Sequence, residues 1–357
     1  MNRTWSGAQL VWLVLALVVV AVAGIAAGGP PEESGEKHWL YVTVPDGAGG
    51  SGKGPAIYVY DIESGHKLVK RLAVPEMKAT RGSCASAQAG KLFISHGNTS
   101  LMCWDILTEK VVWNVTYPKE EGGADRCCVT PDGRKLYVPE GWWSRTAPYM
   151  KVVDGETGKL LRTIDLEGVG TAHNTIMSRS GKRMYVGPVN SGSLFVIDTA
   201  TDSIIKTVGP FNREQAEGRP QKLKGGQKHA GGRVSPYCIN GAETLCFVNS
   251  FNVGFFVGDL VNDKVLHWVT VPEAKGFSHG VGMTPDEKEV WLTDPEGRKL
   301  HVFDATVMPP KYVQPIDVSA KTHGWVTFDL LGRFAYCDTG DVIDAKTRKI
   351  IAEWKDS

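Results

Sequence analysis

The chain has 357 residues, with 40 Lys and Arg against 39 Asp and Glu for a net charge of +1, and 42% of its residues are hydrophobic. That length suits two average domains or one large all-β domain, and an ordinary charged fraction of 22% beside 41 glycines argues against disorder and collagen-like structure. The near-neutral balance also removes the electrostatic case for nucleic-acid binding.

The first element is apolar. Met1 to Gln9 carry Arg3 as their one charge, and the run Leu10 to Ala27 that follows has no polar face and ends in small residues. A positive start, an apolar stretch and small residues at its end read as a signal peptide or N-terminal membrane anchor over residues 1–28, with a polar linker over 29–37. The expectation is an exported protein, periplasmic or at the cell surface, that meets a membrane only through this segment if it is retained.

From residue 38 to 357 one pattern recurs seven times: an apolar run ending in Asp, a turn, and a second apolar run. The copies read IYVYDIESG, LMCWDILTE, MKVVDGETG, LFVIDTATD, FFVGDLVND, LHVFDATVM and DVIDAKTRK. Their aspartates, Asp61, Asp105, Asp154, Asp198, Asp259, Asp304 and Asp344, lie 44, 49, 44, 61, 45 and 40 residues apart. A period in the mid-forties built of short β-branched runs belongs to propeller blades rather than helical solenoids. Upstream of each Asp stands an aromatic in a short apolar run: Tyr41, Phe93, Tyr137, Tyr185, Phe247, Trp291 and Tyr336. In three units an earlier run leads into it through the turns TPDGRK, SRSGKR and TPDEKE.

The predicted fold is therefore an all-β, seven-bladed β-propeller whose blades hold four antiparallel strands, a to d, with the aromatic in b and the turn Asp ending c. Asp suits that place because its short carboxylate accepts hydrogen bonds from turn N–H groups. The first unit shows no strand a before His38–Val44, so either the first blade has three strands or the ring closes in another way.

The run HGVGMTPDEKEVW from His279, LYV at Leu136–Val138 and VIDTATDSIIKTV at Val196–Val208 resemble the YVTN-type β-propeller repeat. The resemblance covers nearly all of residues 38 to 357 and implies the seven-bladed fold. It leaves function open, since that family and its structural relatives include lactonases, haem- and copper-binding oxidoreductases and plain binding modules.

Other motifs are weaker. Gly47 to Gly54 nearly matches a P-loop, but Gly54 stands where Ser or Thr belongs and a strand follows, so it reads as a loop. The insert Phe211 to Gly232 carries Arg213, Arg219, Lys222, Lys224 and Lys228 against Glu214 and Glu217 and reads as a solvated loop or a basic cover. Trp142, Trp143 and Arg145 form a connection that either packs on its own blade or makes a contact. None of the seven cysteines forms a CxxC pair; Cys238 and Cys246 flank a predicted hairpin turn and are the pair to test for a disulfide.

Strand alternation places the starts of a and c and the ends of b and d on one rim, with the longest connections. The starts of strand a contribute Arg81, Asp125, His173, His279 and His323, the loop before the fifth unit adds His229, and the ends of strand b add His96, Glu140, Asp294 and Asp338. These ten are the candidate ligand-binding residues of a polar axial pocket. His173, His229, His279 and His323 form the candidate set for a transition metal or proton transfer, though ligand nitrogens must approach a metal to ~2.0–2.1 Å. Alternatively, such a histidine bonds the mouth of its own blade. No GxSxG, HExxH or CxxCH motif supports nucleophilic, zinc-protease or haem chemistry. The expectation is a monomer that binds a small molecule or protein at this rim. The alternatives are a metal- or cofactor-dependent oxidoreductase, a lactonase-like hydrolase, or a cell-envelope scaffold.

Overall fold

Alternating apolar residues between turn clusters fold the chain into seven antiparallel sheets in sequence order, each a blade of a propeller. The computed structural model describes residues 37–45, 54–141, 149–189, 191–218, 234, 237–249, 254–272, 274, 278–320 and 324–354. The expected N-terminal segment, most of the Gly47–Gly54 loop, Trp142, Trp143, Arg145, the basic insert beyond residue 218, His229 and His323 lie outside the described residues.

Blade one has three strands, β1 (Trp39–Val44), β2 (Ala56–Asp61) and β3 (Lys67–Ala73), as the missing strand a suggested. Blade two holds β4 (Thr80–Ser86), β5 (Lys91–His96), β6 (Ser100–Asp105) and β7 (Lys110–Thr116). Blade three holds β8 (Cys128–Val129), β9 (Lys135–Val138), β10 (Tyr149–Asp154) and β11 (Leu160–Asp165). Blade four holds β12 (Ala172–Met177), β13 (Arg183–Pro188), β14 (Leu194–Asp198) and β15 (Ser203–Val208). Blade five holds β16 (Tyr237–Ile239), β17 (Leu245–Asn249), β18 (Gly254–Asp259) and β19 (Lys264–Thr270). Blade six holds β20 (Val281–Met283), β21 (Glu289–Asp294), β22 (Lys299–Asp304) and β23 (Lys311–Asp317). Blade seven holds β24 (Val326–Phe328), β25 (Phe334–Cys337), β26 (Asp341–Asp344) and β27 (Lys349–Glu353). Among the described residues no helix is long and apolar enough to cross a membrane.

The seven aspartates end the third strand position of every blade and cap the turn that follows. Asp105 Oδ1 accepts from the N–H groups of Leu107 and Thr108 at 3.0 and 2.7 Å, and Asp198 Oδ1 from Ala200 and Thr201 at 3.0 and 2.8 Å. Four of the seven turns also close by an i+4 bond to the aspartate carbonyl, from Glu109, Gly158, Asp202 and Arg348, all in the left-handed region. A register shift lies between the two residues that precede the aspartate in all seven blades. Such a bulge increases local twist, which lets the outermost strand coil around its blade.

Apolar faces of adjacent blades pack against one another, and the aromatic of each strand b anchors that packing. Trp291 is fully buried, edge-on to Phe328 of blade seven at 5.2 Å. Tyr137 Oη donates to Asp202 at 2.5 Å and Tyr185 Oη to Glu243 at 2.7 Å, each in a turn of the next blade. Among the described residues the seam between blades seven and one has the smallest buried apolar cluster, Ala56, Tyr58 and Tyr60. Aromatic and ionic contacts complete it. Trp354 stacks between Tyr60 and Tyr336, His66 Nε2 meets Tyr336 Oη at 3.1 Å, and Arg333 holds Glu63 by two bonds of 2.8 and 2.9 Å. The Arg333 bonds, with His38, hold the Glu63 pKa down at about 2.

All seven cysteines are free. Cys238 and Cys246 cannot bridge: Cys238 stands opposite Phe247 and Cys246 opposite Ile239, so their side chains point to opposite faces of the β16–β17 pair. The close pair is instead Cys84 on β4 and Cys127 before β8, with sulfurs 3.5 Å apart across the seam of blades two and three.

Candidate functional site

The inner strands begin on one rim, as the pairings Thr80↔His96 and Ala172↔Pro188 show, and the residues that open them converge on the axis. Asp125 and His173 come from successive blades and are both buried; His173 Nδ1 donates to Asp125 Oδ2 at 2.5 Å. Gly141 makes room for that carboxylate, because at φ +74° it passes where a Cβ would lie 2.5 Å from Asp125 Oδ2. His279 Nδ1 donates to Gly324 O at 3.0 Å, and here too only glycine fits, since a Cβ on Gly324 would stand 2.6 Å from that of His279.

Between these histidines lies the Trp325 indole, edge-on to His279 at 5.2 Å and to His173 at 6.3 Å. Its face is covered by the Arg126 guanidinium, 3.8 Å from the ring centroid, a cation–π contact. Burial pulls the Arg126 pKa below its ordinary value, with Asp125 and Asp338 drawing it back up, and an arginine remains charged throughout. Arg126 Nε and Trp325 Nε1 are buried and find no hydrogen-bond partner among the described residues. Such orphaned donors are costly unless an acceptor meets them.

Arg126 and Trp325 line a cavity of about 610 Å³, together with Arg81, Asp338, β1 residues 40–43 and β4 residues 80–83. Arg81 bonds Asn98 Oδ1 through Nε and Nη2 at 3.3 and 3.2 Å. Asp338 accepts the N–H groups of Gly324 and Trp325 at 3.1 and 3.2 Å and so holds the segment that carries the tryptophan. A second cavity of about 580 Å³ opens on the opposite rim, between Arg179, Met283, Pro285 and Leu330.

Of the ten residues expected at this rim, Arg81, Asp125, His173, His279 and Asp338 gather around the axis. Glu140 sits beside them but accepts the backbone N–H of Thr171. His96 and Asp294 turn into their own blades. His96 accepts Lys78 N–H at Nδ1 and therefore donates from Nε2 to Asn114 at 3.0 Å, a neutral imidazole whose pKa burial pushes down. Asp294 accepts Gly297 N–H at 2.8 Å and His301 Nε2 at 3.3 Å, and His301 Nδ1 meets Tyr312 Oη at 3.2 Å. Of the four histidines suggested for a metal, the described residues include His173 and His279. Among the described residues no group of three or more His, Cys, Asp or Glu is placed to hold a metal ion.

The residues missed from the sequence are Arg126 and Trp325. Each lies within two positions of a residue that was singled out, Asp125 and His323, and the signal was the neighbouring charge or aromatic at the same strand start.

No known family model matches the chain, and no curated protein does. Among solved structures it is similar to hydrazine synthase of Kuenenia stuttgartiensis, with a TM-score of 0.63 and 13% identity over 84% of this chain and 89% of that one. It is equally similar to the Cps50 (Swd1) β-propeller domain of Myceliophteria thermophila, with a TM-score of 0.63 and 12% identity over 89% and 94% of the two chains. At such identities the likeness is one of fold.

Proposed function

We propose that this chain is a binding propeller that takes an anionic ligand, free or displayed by a protein, in the cavity between blades one, two and seven. The observation that carries the reading is the Arg126–Trp325 stack in the cavity wall, a guanidinium and an indole whose Nε and Nε1 are buried and find no partner among the described residues. An anion at this wall pairs with the Arg126 guanidinium, and charge-assisted bonds of this kind are the stronger ones. The volume also falls within the ~300–1,000 Å³ usual for ligand pockets. The YVTN-type motifs and the apolar N-terminal run support placing the protein among exported repeat propellers.

The test is calorimetric titration of the full chain with succinate and with inorganic phosphate. Saturable binding of either, weakened about tenfold or more by Arg126→Gln, is expected, because a hydrogen bond to a charged group contributes that much. Binding of neither anion, or equal binding by the variant, overturns the reading. A second reading, a metal- or cofactor-dependent oxidoreductase or a hydrolase, draws on the Asp125–His173 pair, which has the form of an oriented imidazole base. Near-stoichiometric transition metal in the purified protein, lost on His279→Ala, would favour it.

A further inference from the structure

The cavity occupies the place where blade one would have its innermost strand. In the six other blades strand b lies between strands a and c, and it is buried beyond its first residue or two. In blade one the strand with the b-type aromatic is β1, which among the described residues pairs with β2 alone and is half-buried or exposed along its whole length. Its far edge therefore faces the cavity. His38 O accepts Ile62 N–H at 3.1 Å, so by antiparallel alternation positions 40, 42 and 44 bond β2. Trp39, Tyr41 and Thr43 then direct their backbone N–H and C=O groups away from β2. An edge of this kind is a template for another strand.

The surroundings state what such a strand must carry. One wall is β4, and the other is Trp325 with Val326 and Thr327 of β24. Inner strands of the complete blades run from two residues in β8 to seven in β4, so a short extended segment suffices. Among the described residues the charged side chains lining the cavity are Arg81, Arg126 and Asp338, two guanidinium groups against one carboxylate already engaged with backbone N–H groups, while Asp125, whose charge acts on both arginines, bonds His173 outside the lining.

We infer that the cavity accepts an extended acidic segment of a separate polypeptide as the fourth, inner strand of blade one, antiparallel to β1, with an Asp or Glu side chain reaching the Arg126–Trp325 stack. The main chain of the guest supplies affinity through the ladder, and its carboxylate supplies the specificity. The inference rests on the reading of this cavity as the binding site and narrows its ligand to a peptide.

The experiment titrates the full chain with two capped hexapeptides, Thr-Val-Glu-Val-Thr-Val and Val-Thr-Val-Glu-Val-Thr. Both are repeated with alternate backbone amides N-methylated in either phase, and hydrogen exchange of the β1 amides is followed in parallel. The expected result is saturable binding of one peptide, lost when the ladder-facing phase is methylated, with the amides of Trp39, Tyr41 and Thr43 protected in the complex. Arg126→Gln should weaken binding about tenfold or more, and Trp325→Phe, which keeps the ring and removes the N–H, should weaken it less. Absence of binding by both peptides, or undiminished binding in both methylated phases, overturns the inference. So does displacement by a peptide of residues 28–36, which would make the chain its own guest. If succinate or phosphate binds Arg126-dependently while the peptides do not, the cavity is an anion site and the strand inference alone fails; if none binds, both readings fail.

Discussion

Blade one and blade six carry the same strand-b pattern and arrive at different structures. In β21 an inner strand on one side and β22 on the other bury Trp291 completely, with its Nε1 donating to Glu289 at 2.8 Å. In β1 the corresponding Tyr41 is half-buried, packed against the core shared with blade two and open toward the cavity. The burial of a repeat residue is thus set by how many strands flank it. An incomplete blade turns a core strand into an exposed edge without any change of motif.

The largest test of that contrast is a matched pair of truncations. Trp291→Ala should cost about 3–5 kcal/mol, as for a large core aromatic. Tyr41→Ala should cost about 1 kcal/mol, the typical single-residue loss. Denaturant unfolding measures both, and equal costs would mean that blade one is as closed as blade six.

A second repeat position sharpens the comparison. Three residues before the turn aspartate, blade one has Tyr58 and blade six His301, whereas blade three buries Lys151. Its ammonium donates to the carbonyls of Glu121, Gly122 and Gly123 at 2.8, 3.2 and 2.6 Å, and burial pushes its pKa down from 10.5 to about 8. At this site the unfolded chain therefore binds more protons between those values, and the Lys151 contribution to stability rises with pH across that window. Relative to Lys151→Met, the wild type should gain up to about 3 kcal/mol from pH ~8 to ~10.5, because each tenfold change in proton affinity is worth ~1.4 kcal/mol. Taking the difference between the two proteins cancels the buried tyrosines, whose raised pKa values act in the opposite direction at high pH. A flat difference would mean that Lys151 is solvated.

The smallest effect concerns the cavity wall itself. Cys84 lies on β4, and its contact with Cys127, together with burial, pushes its thiol pKa well above the ordinary value, so oxidation should be slow. Prolonged treatment with diamide should yield a Cys84–Cys127 cross-link by peptide mass mapping, and none between Cys238 and Cys246. A Cys238–Cys246 bridge would mean that β16 and β17 pair in another register.

Much of this fold was legible because each blade repeats its own local physics. The seven aspartates cap their turns through N–H groups two and three residues away, a contact that spacing alone can announce. The candidate site was legible only in part. Asp125, His173 and Asp338 were picked out by position, but whether such a side chain turns toward the axis or into its own blade depends on the outer strands. His96 and Asp294 occupy the same rim and bond Asn114 and His301 instead.

By itself the sequence determined the repeat, the number of blades, the strand that holds each aromatic and the shortfall of one strand in the first blade. These follow from period-two patterning and turn chemistry, which act over a few residues. The tertiary structure decided what that shortfall means, by placing Arg126 of blade three and Trp325 of blade seven at the same opening as β1. Residues about 200 positions apart in the chain meet there only because the ring closes, and closure is a long-range property that no local pattern encodes.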